Sequence, residues 1–366
     1  MEHKKPRIVF VLPAITAGGA ERVIITLLNN MDTEKYHVDF VTVSSRGNIS
    51  GWVKNGIAEH HLNKRNIITG IWALKRKLSQ LSPDIVMTTM THSNGALLLL
   101  KPFFPSTKFI VRESSLPGIM VSRYGWKGFL CRLIYKYLYP KADLVLSPAK
   151  VIVKEFENVI GINVDNHKVL YNPVDTAAIL GSLTKESDDY PDDGSVRFVC
   201  LGRLGFEKGY DELLDGLKNF EMSNGRAWHL KIIGEGNQKD LLTQKIENNG
   251  LAANVELAGY ANSPWNELAS SDVLLLPSRW EGLPNVVLEA LVCGRRVIAL
   301  SRAGGVGEIS DNNDDVQIAE NLDEFLHYMQ QSCPVSKERG SVLPERFCAE
   351  NVMSEFYSII ENFRRI

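Results

Sequence analysis

Residues 273–290 read VLLLPSRWEGLPNVVLEA and contain one complete strand, turn and helix. The four leading apolar residues, Val273–Leu276, predict a buried strand, and a turn with glycine and proline separates this strand from a helix that begins near Asn285. A short apolar strand that runs through a turn into a helix is the building unit of a parallel sheet covered by helices. The stretch therefore predicts an α/β fold with a parallel sheet.

Both halves of the chain repeat this alternation of strands and helices. In the first half, strands are predicted at 7–12, 38–43, 84–88, 108–111 and 143–147, and helices at 20–31, 67–81, 93–101 and 122–139. In the second half, strands are predicted at 196–201, 229–233, 255–257, 273–276 and 297–300, and helices at 210–219, 238–249, 285–292 and 344–363. The polar, acidic segment 176–195 is predicted to be a loop. The pattern predicts two Rossmann-like, doubly wound parallel-sheet domains in succession.

The composition is that of an ordinary globular protein. The chain has 366 residues, 44% of them hydrophobic and 23% charged, and its longest apolar run, 96–104, is interrupted by Lys101 and Pro102. A membrane-spanning helix needs about 20 apolar residues, so none is predicted. The charged start leads directly into a strand, so no cleavable signal is predicted. Five cysteines without C-x-x-C spacing indicate reduced thiols and a cytoplasmic location.

The charge is divided unevenly between the two halves. The net charge is −2, but residues 1–172 contain 23 Lys and Arg against 12 Asp and Glu, whereas residues 173–366 contain 18 against 31. A basic half usually faces something anionic, such as nucleic acid, a membrane surface or phosphate groups. Composition alone leaves these three partners open.

Ligands of open parallel sheets bind outside the carboxyl ends of the strands, so two such sheets facing each other would enclose a cleft. The loop after the first strand contains Gly18 and Gly19 before a helix, where free N–H groups attract an anion. The dinucleotide fingerprint G-x-G-x-x-G is absent there, and Gly234–Glu235–Gly236 lacks its third glycine. The glycine pair is therefore interpreted either as a ligand contact or as a tight turn.

Two cations lie on the loop after the first strand of the second half. Gly202 and Arg203 end this strand, and Lys208 follows five residues after Arg203. A planar guanidinium and a mobile ammonium on one loop could both reach a single diphosphate. The alternative is a pair of solvated surface cations.

The turn at 278–286 carries an anion-binding pattern flanked by two carboxylates. Backbone N–H groups of Gly282, Leu283, Asn285 and Val286 would face an anion at a helix start. Glu281 and Glu289 are eight residues apart, which spans about 12 Å in a helix and would reach from a sugar ring across a diphosphate to a ribose. Because carboxylates only accept hydrogen bonds, Glu289 suits a ribose diol and Glu281 suits sugar hydroxyls; the alternative for each is a solvated glutamate.

These loops together resemble those of family 4 retaining glycosyltransferases, which have the GT-B fold. The resemblance is carried by Glu281-x7-Glu289 after an S-x-x-E-G-x-P turn, by the loops 202–209 and 18–21, and by LYNPVD at 170–175. Gly259–Tyr260 and Gly304–Gly305 also match, so the similarity covers nearly the whole chain in the family's order.

The resemblance implies transfer of a sugar, with retained anomeric configuration, from a nucleotide-diphosphate donor to a saccharide. The family's frequency favours a UDP-sugar, and the acceptor is expected to be linked to a lipid such as a polyprenyl diphosphate, in building surface polysaccharides. The chain contains no D-x-D triplet, so a reaction without metal or other cofactor is expected.

The resemblance also implies domains and residue roles. Residues 1–171 would form the acceptor-side domain, 172–343 the nucleotide-sugar domain, and 344–366 a helix packing back toward the first. Catalytic roles would fall to Arg203, Lys208 and Glu281. The donor would contact Gly18, Gly19, Asn172, Gly202, Gly234, Tyr260, Gly282, Leu283, Pro284, Asn285, Val286 and Glu289.

One loop departs from the family's pattern. Many relatives carry a histidine after the strand predicted at 108–111, whereas this chain has Arg112 and Glu113. Glu113 would take that position, and His92 is a second candidate on the acceptor side.

A basic, aromatic segment is predicted to meet a membrane. The helix at 122–139 carries Arg123, Lys127, Arg132 and Lys136 among aromatic residues and contains no acid, and Lys75, Arg76 and Lys77 add to the basic surface. Such a helix can lie on an anionic bilayer, which would place the protein peripherally on the inner face of the cell membrane. The alternative is a helix packed on its sheet with solvated lysines.

Three other functions remain open at this point. A non-hydrolysing sugar-nucleotide epimerase shares the architecture of two facing domains, and a non-catalytic nucleotide-sugar-binding protein would need the same donor contacts. A nucleic-acid-binding protein would explain the basic half, but the sequence contains no recognised nucleic-acid module, so no nucleic-acid partner is expected.

Overall fold

The computed structural model describes residues 5–15, 18–44, 51–123, 125–163, 165–184, 194–261, 263–336 and 338–364. It divides into two compact units. The first unit consists of the residues up to Pro173 together with those from Ala349 onward, and the second runs from Val174 to Cys348. The chain therefore returns to its first unit after completing the second.

The first unit is built on a seven-stranded parallel sheet. Its elements up to Pro173 are β1 (Arg7–Leu12), α1 (Gly19–Asn29), β2 (His37–Thr42), β3 (Ala58–His61), α2 (Ile67–Leu81), β4 (Ile85–Thr89), α3 (Thr91–Leu100), β5 (Lys108–Arg112), α4 (Pro117–Arg123), α5 (Trp126–Tyr137), β6 (Leu144–Ser147), α6 (Lys150–Glu155) and β7 (His167–Val169). The strand order is β3-β2-β1-β4-β5-β6-β7. The order reverses between β1 and β4, where a doubly wound sheet opens its binding crevice.

The second unit contains a six-stranded parallel sheet. Its elements are α7 (Thr176–Gly181), β8 (Val196–Leu201), α8 (Tyr210–Gly216), β9 (Trp228–Ile233), α9 (Lys239–Asn248), β10 (Val255–Gly259), α10 (Pro264–Ser270), β11 (Val273–Leu276), α11 (Asn285–Val292), β12 (Arg296–Leu300), α12 (Val306–Ser310), β13 (Val316–Ala319) and α13 (Leu322–Gln331). The strand order is β10-β9-β8-β11-β12-β13. The last helix, α14 (Ala349–Arg364), belongs to the first unit.

The predicted fold class is confirmed, and every strand predicted from the sequence is present. Three strands that the sequence pattern missed, β3, β7 and β13, all lie at sheet edges. An edge strand buries less surface than a central one, so its sequence carries a weaker apolar pattern; β3, for example, reads AEHH.

Two predicted segments differ from the structure. The helix expected at 122–139 is two helices, α4 and α5, because Gly125 between them has a φ of +52°, a left-handed conformation that favours glycine; residue 124 lies outside the described residues. The segment 176–195, expected to be a loop, begins with α7, whose N-terminus is capped by the Asp175 carboxylate accepting from the N–H of Ala178. Residues 185–193 of that segment lie outside the described residues.

The last helix is held in the first unit by apolar packing and by one tyrosine. Val352, Phe356 and Ile360 of α14 are buried in the same core as the strands β1, β2 and β4. Tyr357 stacks on Tyr36 with ring centroids 5.9 Å apart. Its hydroxyl accepts from the N–H of Asp32 at 2.6 Å and donates to the Asn30 carbonyl at 3.0 Å. Helix α14 is therefore part of that core.

A buried ion pair joins three segments of the second unit. Asp272, immediately before β11, is fully buried and accepts from the Arg197 guanidinium at 2.9 and 3.0 Å. The same carboxylate accepts from the backbone N–H groups of Arg197 at 2.7 Å and Val335 at 2.8 Å. Removing it would leave a nearly buried cation and two backbone donors without an acceptor.

We expect Asp272→Ala to lower the free energy of unfolding by about 3–5 kcal/mol, since it removes one partner of a buried pair. The measurement is a urea titration followed by tryptophan fluorescence. Asp314→Ala is the control, because Asp314 is exposed and its removal should change stability by less than about 0.5 kcal/mol. Equal effects of the two substitutions would show that the pair is not a structural requirement.

Candidate active site

The loops after β8 and β9 pack backbone against backbone. Gly234 has a φ of +146°, and a Cβ there would lie 1.9 Å from the carbonyl oxygen of Gly202. A Cβ on Gly236 would lie 2.2 Å from the carbonyl oxygen of Leu204. The N–H of Leu204 donates to the backbone carbonyl of Glu235 at 3.0 Å. No side chain fits between these loops, so glycine is required at both positions.

The loop after β8 also contacts the loop after β11, its neighbour on the other side. Gly209 has a φ of +68°, and a Cβ there would lie 2.2 Å from the Pro277 carbonyl oxygen. The N–H of Arg279 donates to the Glu207 carbonyl at 2.8 Å. Since β9, β8 and β11 are adjacent in the sheet, their three loops meet at its carboxyl edge.

An ion pair connects two of these loops. The Nζ of Lys208 lies 2.7 Å from Oε1 of Glu281, and both side chains are only 16% exposed. Ser278, fully buried, donates its hydroxyl to the same Oε1 at 2.8 Å. The two predicted catalytic residues on different loops are therefore in direct contact, and Ser278 orients the carboxylate.

Arg203 lies on the same loop in a more open environment. Its side chain is 76% exposed, and Nη2 lies 2.9 Å from the Glu207 carboxylate. A surface ion pair four residues apart contributes little to stability, about 0–1 kcal/mol, so Arg203 can exchange Glu207 for another anion.

The turn that carries Glu281 is supported by a fourth loop, after β12. Gly304 has a φ of +72°, and a Cβ there would lie 2.2 Å from the Glu281 carbonyl oxygen. The N–H of Gly305 donates to the Gly282 carbonyl at 2.9 Å. The glycine pair singled out in the sequence therefore holds the Glu281 turn in place.

Helix α11 begins at Asn285, as predicted, with Pro284 at its N-cap position. Proline has no side-chain acceptor, so the N-cap residue itself makes no side-chain hydrogen bond to the helix, and the helix dipole is positive there. Glu289 is half-buried between Leu288 and Ala290, which are both fully buried. Leu283 and Pro284 are buried, whereas Gly282, Asn285 and Val286 are partly exposed.

The sequence interpretation missed the role of Arg279. Its guanidinium binds Asp211 through two bonds of 2.8 Å, binds Glu212 at 2.8 Å, and lies 3.9 Å from the Phe206 ring centroid. The hydrogen bond to Asp211 raises the pKa of Arg279. These contacts connect the start of α8 to the turn that carries Glu281. Arg279 therefore positions the loops after β8 and β11 relative to each other. The S-x-x-E spacing could have identified Ser278, but the partners of Arg279 are far away in sequence.

The predicted acceptor-side residues Arg112 and Glu113 are buried in the first unit. Glu113 accepts from the hydroxyls of Thr91 at 2.9 Å and Tyr139 at 2.5 Å, and from the N–H of Ser115 at 3.1 Å. Burial raises the pKa of Glu113 above its ordinary value, and these hydrogen bonds oppose the rise. Glu113 therefore organises the interior at the end of β5, and its predicted contact with an acceptor stays a prediction.

The Arg112 side chain reaches Asn172 near the end of the first unit. Its Nη2 donates to the Asn172 side-chain oxygen, and burial lowers its pKa to about 10. Within the described ranges, Nε and Nη1 of Arg112 have no acceptor, which leaves hydrogen-bonding capacity for water or an anion. His92, by contrast, is exposed in the first turn of α3.

The remaining predicted residues are spread over both units. Gly18 precedes α1, and a Cβ there would lie 2.5 Å from the Glu21 carboxylate, so the nearest side chain is an acid; Gly19 is the first residue of that helix. Residues 16 and 17 of this loop lie outside the described residues. Tyr260 follows β10 and is strongly exposed. The donor contacts assigned to these residues stay predictions.

In the described part of the chain, no three His, Cys, Asp or Glu side chains form a group that could hold a metal ion. None of the described helices is long and apolar enough to cross a bilayer.

The chain matches two protein families in sequence. Residues 17–178 match the family described as "Glycosyltransferase Family 4", and residues 185–330 match the family described as "Glycosyl transferases group 1". Together these matches cover every strand of the two sheets except β1, which precedes residue 17.

Curated relatives and a solved structure extend the similarity to most of the chain. The amylovoran biosynthesis glycosyltransferase AmsD of Erwinia amylovora is 34% identical over 297 residues, 80% of each chain. The N-acetylgalactosamine-N,N'-diacetylbacillosaminyl-diphospho-undecaprenol 4-alpha-N-acetylgalactosaminyltransferase of Campylobacter jejuni is 25% identical over 316 residues, 82% of each chain. HepE of Anabaena, solved with UDP and glucose, superposes with a TM-score of 0.75 at 15% identity, covering 98% of this chain and 100% of HepE.

We expect Glu113→Gln to remove a pH dependence of stability. Because the folded state raises the pKa of Glu113, its stabilising contribution is complete below the unfolded pKa of about 4.5 and is lost as the pH rises through the folded pKa. Glutamine does not ionise, so the stability of the variant relative to the natural protein should increase from acidic to neutral pH in urea titrations.

The exposed Glu157 provides the control for this experiment, since Glu157→Gln should leave the pH profile unchanged. Parallel profiles for Glu113→Gln and the natural protein would show that Glu113 ionises normally in the folded state.

Proposed function

The chain belongs to the family 4 glycosyltransferases with the GT-B fold, and on this premise we propose that it transfers a sugar, with retained anomeric configuration, from a nucleotide-diphosphate donor to a saccharide. We further propose that the donor is a UDP-sugar and that the acceptor is linked to a polyprenyl diphosphate. UDP is the nucleotide bound by HepE, and the name of the Campylobacter relative specifies a diphospho-undecaprenol-linked saccharide.

The observation that carries this proposal is the ion pair between Lys208 and Glu281. It places a cation and a carboxylate together at the carboxyl ends of β8 and β11, in the same turn that leads into α11. A sugar diphosphate needs the same combination, because its phosphates require cations and N–H donors and its sugar hydroxyls require acceptors. The second unit thus offers both kinds of group within one set of loops.

In the proposed complex, the donor exchanges partners with the ion pair. The diphosphate takes hydrogen bonds from Lys208 and Arg203, and the Glu281 carboxylate, still held by Ser278, then accepts from donor sugar hydroxyls. The N–H groups at the start of α11 face the phosphates, where the helix dipole favours negative charge. Glu289, one helical turn further on, accepts from the ribose diol.

The chemical step follows from this arrangement. The bond between the anomeric carbon and the β-phosphate oxygen breaks, and its electron pair leaves with the nucleoside diphosphate. The acceptor hydroxyl oxygen bonds the anomeric carbon from the same face, and its proton passes to the departing phosphate oxygen. Lys208 and Arg203 stabilise the negative charge that develops on the phosphate, which is the largest electrostatic change in the step.

We expect Lys208→Ala to lower turnover by about 100- to 1000-fold, because it removes a positioned donor to the developing phosphate charge. Arg203→Ala should lower turnover by at least about tenfold, since its guanidinium is more exposed and more easily replaced by water. The measurement is release of UDP from a UDP-sugar in the presence of a lipid-linked saccharide acceptor, with and without EDTA. A reaction that needs no metal should proceed equally in both.

Lys245→Ala is the matched control for these variants. Lys245 also pairs with a carboxylate, Asp215 at 2.6 Å, but on helices α8 and α9 away from the strand-end loops. Its removal should leave turnover unchanged. Normal turnover by a double Arg203→Ala, Lys208→Ala variant would refute the assignment of the leaving-group contacts.

We expect Glu289→Ala to weaken UDP binding by about 10- to 100-fold, because a hydrogen bond to a charged acceptor contributes about 1.5–3 kcal/mol. Isothermal calorimetry with UDP measures the dissociation constant directly. Glu247→Ala, an exposed helical glutamate on α9, is the control and should bind UDP as the natural protein does. Unchanged affinity in Glu289→Ala would refute the assignment of Glu289 to the ribose.

The same assays separate the competing functions. An epimerase would convert the nucleotide sugar without any acceptor, and a non-catalytic binder would bind UDP without releasing it from UDP-sugars. Acceptor-dependent release of UDP distinguishes the proposed transferase from both.

A further inference from the structure

The first unit exposes an unusual number of large apolar side chains on one group of helices. Ile68 and Trp72 of α2 are 76% and 68% exposed, and Trp126 and Phe129 of α5 are 71% and 61% exposed. Phe103, at the end of a 3₁₀ turn after α3, is also exposed. Solvent-exposed tryptophans and phenylalanines in a cluster mark an interaction surface.

The topology places these helices in one layer. The connections β3–α2–β4, β4–α3–β5 and β5–α4–α5–β6 all run in the same direction across the sheet, so right-handed crossovers put α2, α3 and α5 on the same face. Helix α3 packs against both α2 and α5. The connection β1–α1–β2 runs the opposite way, which places α1, and α14 packed against it, on the other face.

We use the term basic aromatic surface for the outer side of α2, α5 and the turn Lys101–Phe103. Its charge is mainly positive: residues 64–142 contain thirteen Lys and Arg but only Asp84 and Glu113 as acids, and the next acid, Asp143, pairs with Lys101 at 2.8 Å. Glu113 is fully buried, and no acid occurs in α2, α3, α4 or α5. Lys127, Arg132 and Lys136 of α5 and Arg76 of α2 are exposed.

Cations and aromatic rings are in contact on this surface. The Nζ of Lys75 lies 3.5 Å from the Phe103 ring centroid and 5.4 Å from that of Trp72, which joins α2 to the turn after α3. Lys127 and Lys136 lie 6.0 Å and 5.7 Å from the rings of Trp126 and Tyr137. Each of these four rings therefore lies beside a positive charge.

We infer that the basic aromatic surface binds an anionic lipid bilayer. Aromatic rings are amphipathic enough to enter the headgroup region, and lysines and arginines around them meet the lipid phosphates. An acidic protein partner would explain the cations of this surface. It would not explain why exposed tryptophans lie beside lysines on two separate helices. The lipid surface satisfies both features at once.

The structure extends what the sequence predicted here. The sequence indicated one basic, aromatic helix at 122–139 and added the cations at 75–77 to its basic surface. The structure adds the exposed apolar side chains Ile68, Trp72 and Phe103, which lie about 20 to 60 residues earlier in the chain. Two apolar groups on separate helices also give a membrane contact two points of attachment. Bilayer binding requires neither donor nor acceptor, so it succeeds or fails independently of the proposed transfer reaction.

The test uses the full-length protein and vesicles of phosphatidylcholine with and without phosphatidylglycerol. We expect the protein to sediment with the phosphatidylglycerol vesicles at low salt and to dissociate as the salt concentration rises, because salt screens the attraction. We expect no binding to pure phosphatidylcholine. Equal binding to vesicles with and without phosphatidylglycerol would refute the proposal that the cations bind anionic lipid.

The cation variant is Lys127→Gln, Arg132→Gln, Lys136→Gln. Since each cation near an anionic membrane contributes about fivefold in affinity, the triple variant should bind about 100-fold more weakly at low salt. The matched control removes three cations from the second unit, Lys218→Gln, Lys239→Gln, Lys245→Gln, with the same change in net charge. An equal loss in both variants would mean that net charge, and not this surface, drives binding.

The aromatic rings are tested with lipids whose acyl chains are brominated, which quench a tryptophan that enters the bilayer. We expect quenching in the natural protein and its loss in Trp72→Phe, Trp126→Phe, which keeps the apolar character but removes the two exposed indoles. Thermal melting checks that the variants fold. Binding without quenching would show that only the cations contact the membrane surface, and it would refute the insertion of the aromatic rings.

A third outcome would overturn the lipid partner altogether. If the protein ignores vesicles but binds duplex DNA with an affinity that the cation variant abolishes and the control variant retains, the surface recognises a nucleic-acid backbone. Binding to neither would overturn the inference.

Discussion

The contact between Lys208 and Glu281 is the interaction around which the second unit is organised. Each residue lies on a loop after a different strand, and the two strands are neighbours in the sheet. Nearly buried opposite charges at 2.7 Å require loops that cannot move apart, and Ser278 and Arg279 supply that restraint. The proposed donor site depends on this pair, because a diphosphate has to replace one partner without separating the loops.

Close approach of backbones supplies the rigidity that the pair needs. Gly234 against Gly202, Gly209 against Pro277 and Gly304 against Glu281 leave less than the space of one methyl group. The four loops after β8, β9, β11 and β12 are thereby held together mainly by contacts between backbone atoms. The polar side chains of the site extend from these rigid loops. The proposed catalytic residues are held by this framework and not by their own flexible stems.

The first unit has the strand order of the second with one more strand at its edge, but a different distribution of polar groups. At the end of β5, Arg112 and Glu113 are buried among Thr91, Tyr139 and Asn172, so the polar residues there stabilise the interior. The exposed cations and rings lie instead on the outer side of its helices. In the proposed scheme, one sheet presents its strand ends to a nucleotide sugar, while the other presents a helical layer to lipid.

The sequence by itself determined the α/β class, the central strands and the identity of the residues that meet at the end of β8 and β11, because buried parallel strands and glycine turns leave strong local patterns. It missed the edge strands β3, β7 and β13, whose weak burial leaves weak patterns. Only the tertiary structure decided that Lys208 pairs with Glu281, that Glu113 is buried, and that α2 and α5 both pack against α3. These relations join residues 22 to 73 positions apart, and contacts over such separations depend on strand order, which no local pattern of residues encodes.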